Sequence, residues 1–236
     1  MIKQNIFFVI FFTIILTNTY AQKPVNQFDN DGKRHGIWTK NYDGTDQVRY
    51  KGQFRHGKEI DTFKFYKLAN GKSVLSAVKV FNDVDSRAEV KFYTSTGKLV
   101  SEGKMDGKNY IGKWVYYHMK SNAVMIEETF NSNGQLDGFR YVYFKNGNIA
   151  EQLNYVDGKL SGESKWFSEQ KKLIRVSLYN NDELNGDTTY YDTSGNVSSK
   201  GKYKDDRKVG LWEYYKNGKL TKKINHTTKE VFPAKQ

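Results

Sequence analysis

The stretch GLWEYYKNGKL at residues 210–220 reads as a strand, a tight turn and the start of a returning strand, and the chain writes it repeatedly. Variants stand at 112–117 (GKWVYY), 138–147 (GFRYVYFKNG) and 186–195 (GDTTYYDTSG). The second aromatic of each phrase marks a regular interval. Tyr66, Tyr93, Tyr117, Phe144, Phe167, Tyr191 and Tyr215 lie 27, 24, 27, 23, 24 and 24 residues apart, and Tyr42 stands 24 before the first. Such a period implies an array in which each unit buries its apolar surface only against its neighbours.

The interior of the unit is equally regular. Glycine stands five residues before the mark in four units (Gly112, Gly162, Gly186, Gly210) and one place off in two (Gly36, Gly138), while Asp61 and Ala88 break the pattern. After the mark comes a turn ending at Gly44, Gly71, Gly97, Gly147, Gly195 or Gly218; glycine and its Asn or Asp neighbour tolerate the positive φ of a hairpin. Apolar residues then alternate, as in Val74, Val78 and Val80 or Ile149, Leu153 and Tyr155, and a second turn closes the unit. Both prolines, Pro24 and Pro233, lie outside the repeats, as a sheet interior requires. The expected fold is therefore all-β: an elongated antiparallel meander of repeated β-hairpins, a single sheet of about sixteen short strands over 32–225. A short segment at 22–31 and a flexible tail at 226–236 are expected to flank it.

Neighbouring residues on a strand point to opposite faces, so Tyr214 and Tyr215 serve different surfaces and Trp212 shares the side of Tyr214. With the units stacked in register, Trp114, Tyr116, Tyr143, Trp166, Tyr190, Trp212 and Tyr214 are expected to form a ladder, either as structural packing or as a binding surface. Gly112, Gly138, Gly162, Gly186 and Gly210 are expected where the backbone needs positive φ or close approach.

Residues 1–21 have the form of a leader: Lys3, an apolar run from Ile6 to Leu16, and small residues Thr19 and Ala21 before a cut at Gln22. The expected location is thus periplasmic, outer-envelope-associated or secreted. The chain has no cysteine, so a thiol nucleophile is excluded and sheet bonding and packing must hold the mature protein together. Thirty-eight Lys and Arg against 26 Asp and Glu give a net charge of +12, which reads as a solvated basic surface or as attraction to an acidic protein, a polyanionic glycan or an anionic envelope surface touched peripherally. The basic residues are spread through every repeat, not gathered in the patch a nucleic-acid binder shows.

His35, His56, His118 and His226 form no ligand pair with the spacing of a zinc site. No GxSxG phrase occurs. Glu127 and Glu128 are adjacent, so they face opposite sides of their strand, and both are expected in solvent. The NDVD stretch at 82–85 lacks the spacing of a calcium loop. The expectation is a noncatalytic chain with no cofactor and no metal.

Four stretches carry a family resemblance: YKDDRKVGLWEYYKNGKLTKKI at 203–224, YVDGKLSGESKWFSEQKKLIRV at 155–176, MDGKNYIGKWVYY at 105–117 and DGKRHGIWTKNYDG at 31–44. They resemble the MORN-type repeat in its bacterial variant form, over roughly 30–225. The resemblance implies a row of β-hairpins in a twisted antiparallel sheet, no catalytic set, and roles as scaffolds or membrane-associated adaptors. Gly112, Trp114, Tyr116, Tyr117, Gly210, Trp212, Tyr214 and Tyr215 match its motif; Asn41, Asp61 and Ala88 depart from it. Similar proteins are sometimes labelled antitoxin components of toxin–antitoxin pairs, yet an antitoxin works where its toxin is, and the leader directs this chain outward. The expected function is a binding or scaffold surface at the cell envelope, with an antitoxin-like inhibitor and a purely structural envelope protein as alternatives.

Overall fold

The computed structural model describes residues 24–234, so the leader expected over 1–21 lies outside the described residues. Nineteen strands and no helix make up the described chain. A short β1 (Gln27–Phe28) precedes eight hairpins, each an outgoing and a returning strand. The first four are β2 (Arg34–Asn41) with β3 (Val48–Arg55), β4 (Lys58–Ala69) with β5 (Lys72–Phe81), β6 (Arg87–Tyr93) with β7 (Leu99–Asp106), and β8 (Asn109–Tyr117) with β9 (Val124–Phe130). The fifth joins β10 (Gly138–Tyr143) to β11 (Ile149–Val156). In the sixth the outgoing strand is interrupted at Ser161, giving β12 (Lys159–Leu160) and β13 (Gly162–Phe167), and it returns as β14 (Leu173–Asn180). Then come β15 (Glu183–Tyr191) with β16 (Val197–Lys204), β17 (Arg207–Lys216) with β18 (Lys219–Asn225), and a last β19 (Val231–Pro233).

Every strand-to-strand pairing is antiparallel, the isolated Val25–Ile37 bridge alone being parallel, and each hairpin bonds to the next, so order in the sheet follows order in the chain. The result is one open sheet. The three strands beyond the expected sixteen are β1, β12 and β19, of two, two and three residues. β1 and β19 lie in the segments expected to flank the array. The Asn225 side chain accepts the N–H groups of Thr227 and Thr228, turning the chain so that β19 pairs with β18.

Two irregularities recur with the period. Each hairpin carries a bulge on its returning strand: Tyr214 pairs with Lys222 but Tyr215 with Leu220, leaving Thr221 as the extra residue. The same shift falls at Arg49, Ser76, Val100, Met125, Ala150, Ile174 and Ser198. This bulge is the physical mark of the repeat, and it corrects the spacing read from aromatics alone. In the first unit the mark is Asn41, not Tyr42, and in the fifth it is Tyr143, not Phe144. With those two moved by one place, Gly36 and Gly138 fall five residues before their marks like the other four.

The second irregularity sits at that glycine. Glu102 pairs with Val115 and Lys104 with Ile111, so between these pairs one residue of β7, Gly103, faces three of β8. Gly112 has φ 61°, and Gly36, Gly138, Gly162, Gly186 and Gly210 are positive as well. Asp61 adopts φ 59° in the same place, which an Asp side chain tolerates best after Asn and Gly. Ala88 does not, and there the ladder from Ala77–Phe92 to Phe81–Ala88 runs unbroken. The expected role of the glycine, positive φ, is thus what the backbone shows, and the one alanine shows what happens without it.

A candidate binding face

A row of side chains crosses the sheet at right angles to the strands, three residues before each mark and opposite on the returning strand. Its hairpin pairs are Trp38–Gly52, Phe63–Lys79, Val90–Gly103, Trp114–Glu128, Arg140–Leu153, Ser164–Ser177, Thr188–Gly201 and Trp212–Ile224. These residues share one face, the aromatic face, and include most of the fully buried side chains: Trp114, Trp212, Phe63, Val90, Thr188, Ser164 and Ser177. A single sheet has no second layer, so burial depends on how large and small residues alternate along this row.

Trp114 and Trp212 solve the problem with glycine. The Trp114 ring lies flat on Gly103 of the preceding hairpin, where an added Cβ would come within 2.5 Å of the indole; Trp212 lies on Gly201 and Phe63 on Gly52 in the same way. The indole N–H of Trp114 donates to the Lys104 carbonyl at 2.8 Å, and that of Trp212 to the Lys202 carbonyl at 3.0 Å. Both carbonyls belong to residues beside the glycine bulge, so the tryptophan closes a polar gap that the bulge opens. In the first unit no earlier hairpin exists within the array, and β1 substitutes: Trp38 donates to the Gln27 carbonyl at 3.0 Å.

The sixth and seventh units solve it differently. Ser164, Ser177 and Thr188 succeed one another along the row, fully buried, with hydroxyls that have no hydrogen-bond partner. Rings from the flanking rows meet around them. Trp166 and Tyr179 approach to 6.2 Å between centroids, and the Tyr190 and Tyr203 hydroxyls meet at 3.2 Å. Burial, then the Tyr190 hydroxyl, holds the Tyr203 phenol well above its ordinary pKa.

Between these regions lies an ionic cluster. Arg140 stands in the row where other units carry Trp and bonds Glu128 at 2.9 Å and Glu151 at 3.5 Å. The Glu128 side chain, expected in solvent, is only 14% exposed because Arg140 covers it. Its neighbour Glu127 does face the other side, where it takes Lys113 at 2.7 Å and the Tyr143 hydroxyl.

Charge on the aromatic face becomes one-sided towards the C-terminus. The Arg175 guanidinium carbon sits 3.5 Å over the Trp166 ring, with a nitrogen 3.4 Å from the Tyr179 hydroxyl. Lys208 lies 4.0 Å over Trp212 and 5.6 Å over Tyr214, and Lys222 lies 5.5 Å over Tyr214. None of these three cations forms an ion pair among the described residues. Cation–π contact is worth about 0.5–1 kcal/mol at such open sites and leaves the charge available to a partner. His226 joins the Tyr214 hydroxyl at 2.9 Å, and burial followed by Lys208 lowers its pKa.

The reverse face of the third, fourth, seventh and eighth units carries matched charges. Lys91–Glu102 (3.0 Å), Lys113–Glu127, Lys200–Glu213 (3.3 Å) and Lys223–Glu213 (2.7 Å) pair across strands. The mark tyrosines close it: Tyr117 donates to Glu102, Tyr143 to Glu127 and Tyr215 to Glu213. Burial first and the carboxylate second push the Tyr117 and Tyr143 phenols up to about 12. Glu213 is held down at about 2, mainly by the hydrogen bond from Lys223 and then that from Tyr215.

Of the ladder expected from sequence, Trp114 and Trp212 are buried in the central row, and Tyr116, Trp166, Tyr190 and Tyr214 flank it, half-buried. Tyr143 is the correction. Its bulge position puts it on the reverse face with Tyr117 and Tyr215, leaving Val142 in the flanking place. Sequence reasoning missed Arg175, Lys208, Lys222 and Tyr203, whose period-two placement on returning and incoming strands carries the signal. At 82–85 the Asn82 side chain caps Val84 and Asp85, and Asp85 accepts the Arg87 N–H, so these groups serve the loop itself.

Residues 136–157, 184–205 and 208–227 match the family model of the MORN repeat variant. Each matched stretch begins seven residues before its structural mark, at Leu136, Leu184 and Lys208, so all three cover the same part of the hairpin unit. No curated protein matches the chain. Among solved structures, a mutant of S. aureus TarM in complex with fondaparinux, alpha-GlcNAc-glycerol and UDP aligns over 48% of this chain and 19% of its own, at 14% identity and a TM-score of 0.20. A second TarM structure aligns over 53% and 20%, at 14% identity and a TM-score of 0.19. The chain spans about one fifth of the length of these structures.

Proposed function

We propose that this chain, an array carrying MORN repeat variants, is a noncatalytic, exported scaffold at the cell envelope. Its aromatic face binds a polyanionic glycan through units six to eight. The observation that supports this is the set of stacked cations without carboxylate partners, Arg175 on Trp166 and Lys208 and Lys222 on Trp212 and Tyr214. Aromatic rings offer flat apolar surface to sugar rings, while the cations meet acid groups. Beside Arg175 runs a shallow groove lined by Phe144, Glu151, Trp166, Phe167 and Tyr190, and the charge of Glu151 is already met by Arg140. In units seven and eight the reverse-face lysines Lys200 and Lys223 are already paired with Glu213, so behind these units the reverse face offers less to an ionic partner.

Dextran sulfate and neutral dextran share a backbone and differ in charge, which makes them a direct test. The mature protein is expected to bind dextran sulfate in a salt-dependent manner and to ignore dextran. The double variant Arg175→Ala/Lys208→Ala should weaken binding at least tenfold with little change in melting temperature. Equal binding by the variant, or preference for acidic polypeptide over the glycan, defeats the proposal.

A further inference from the structure

The N-terminal edge of the array brings together three side chains that lie far apart in sequence. The loop from β1 to β2 is organised by Asp29, whose Oδ1 accepts the backbone N–H groups of Asp31 (3.0 Å) and Lys33 (2.9 Å). Its other oxygen, Oδ2, is 2.7 Å from His56 Nδ1, and the Asp29 side chain is only 10% exposed. His35, second residue of β2, places its ring 4.9 Å from that of His56, with the planes at 54°. One donor atom from each of Asp29, His35 and His56 lies within 4.8 Å of the other two.

His56 is also out of keeping with its position. It occupies the first turn place between β3 and β4 with φ 49°, where later units use Gly107, Asp157, Asn181 and Asp205. Those residues suit left-handed backbone through a missing or short side chain; an imidazole adds bulk and a nitrogen donor there. The turn is fixed against β2 by the Gly57 N–H, which donates to the Arg34 carbonyl at 2.8 Å. All three donors are thus held by backbone hydrogen bonds or strand register.

We propose that Asp29, His35 and His56 form a binding site for a divalent transition-metal ion of the zinc class. Two imidazoles and one carboxylate supply three of four tetrahedral ligands, and the exposed side of the cluster leaves the fourth to water. Bond lengths of about 2.0–2.2 Å place ligand atoms roughly 3.3–3.5 Å apart, so the cluster closes by about 1 Å and the Asp29–His56 contact opens slightly. The backbone bonds to Asp29 Oδ1 act as the outer support that orients a ligating carboxylate. Calcium and magnesium are disfavoured because they require mostly oxygen ligands. A bound ion ties the β1–β2 loop, the start of β2 and the β3–β4 turn into one knot, stiffening the edge strand of the sheet.

The test uses the mature chain after chelator treatment, titrated with zinc chloride by calorimetry and followed by thermal melting. One ion per chain with micromolar affinity and a raised melting temperature are expected. His35→Gln and His56→Asn keep the strand and the turn, since Asn favours left-handed backbone, and each should weaken binding at least tenfold. His118→Ala, in the fourth unit, should bind as the parent does. Absence of saturable binding, or binding undiminished in both site variants, overturns the proposal.

Discussion

The row that crosses the sheet is built in two ways, and the contrast explains where a partner finds room. Around Trp114 and Trp212 the row is one large ring on a glycine, and the space above the backbone is filled from within. Around Ser164, Ser177 and Thr188 the row is small, and the flanking Trp166, Tyr179, Tyr190 and Tyr203 meet over it. The first arrangement satisfies its polar atom, the indole N–H, on a backbone carbonyl. The second leaves three buried hydroxyls unpaired. In both arrangements the row itself is core, and a partner meets what lies over it: Arg175 with the flanking rings above the serine–threonine row, and Lys208 and Lys222 above Trp212 and Tyr214.

The contrast breaks most visibly where the ring meets its glycine. Trp212→Ala should cost about 3–5 kcal/mol, and Gly201→Ala, which drives a methyl into the same ring, about 1–3 kcal/mol. Urea unfolding of both variants measures it, and a cost below about 1 kcal/mol for either would show that the ring has another place to lie. Next in size is Thr188→Val, which exchanges an unpaired buried hydroxyl for a methyl of similar volume. It should stabilise the protein by about 1 kcal/mol. Destabilisation would mean that a water or an unrecognised donor satisfies the row, bringing the two arrangements closer together.

The smallest effect lies behind Trp212, on the reverse face. Glu213 has its pKa lowered from 4.5 to about 2 on folding, so its carboxylate stabilises the fold above pH 4.5, and this contribution fades as pH falls towards 2. Glu213→Gln should flatten the acid limb of a stability–pH curve in that window and leave neutral-pH binding unchanged. The effect is modest because Lys200 is half-exposed and solvent screens the pair.

Most of the architecture was legible because aromatic pairs and turn glycines recur at one interval. The error at Asn41 and Tyr143 arose where an aromatic follows the true mark, so the eye moves one residue on; the glycines five residues earlier held the correct spacing. The core was less legible. Gly52, Gly103 and Gly201 sit inside polar strands, and their role appears only when register sets a ring on each. Arg175 and Lys208 read as solubilising charge until pairing places them over Trp166 and Trp212. The Asp29–His35–His56 cluster could not be read at all, because its intervals follow no local motif and depend on a turn folding back onto an earlier strand.

Because the glycine bulge recurs at a fixed place, each hairpin is carried onto the next by nearly one screw operation, with the local twist that bulges add. Ala88 omits that step once, leaving a fault between β5 and β6. The array is thus two screws joined at a seam, a short one before it and a longer one from Arg87 to Asn225 after it. A linear polymer winding along the aromatic face meets Arg175, Lys208 and Lys222 wholly within the longer screw. It can follow all three without changing pitch.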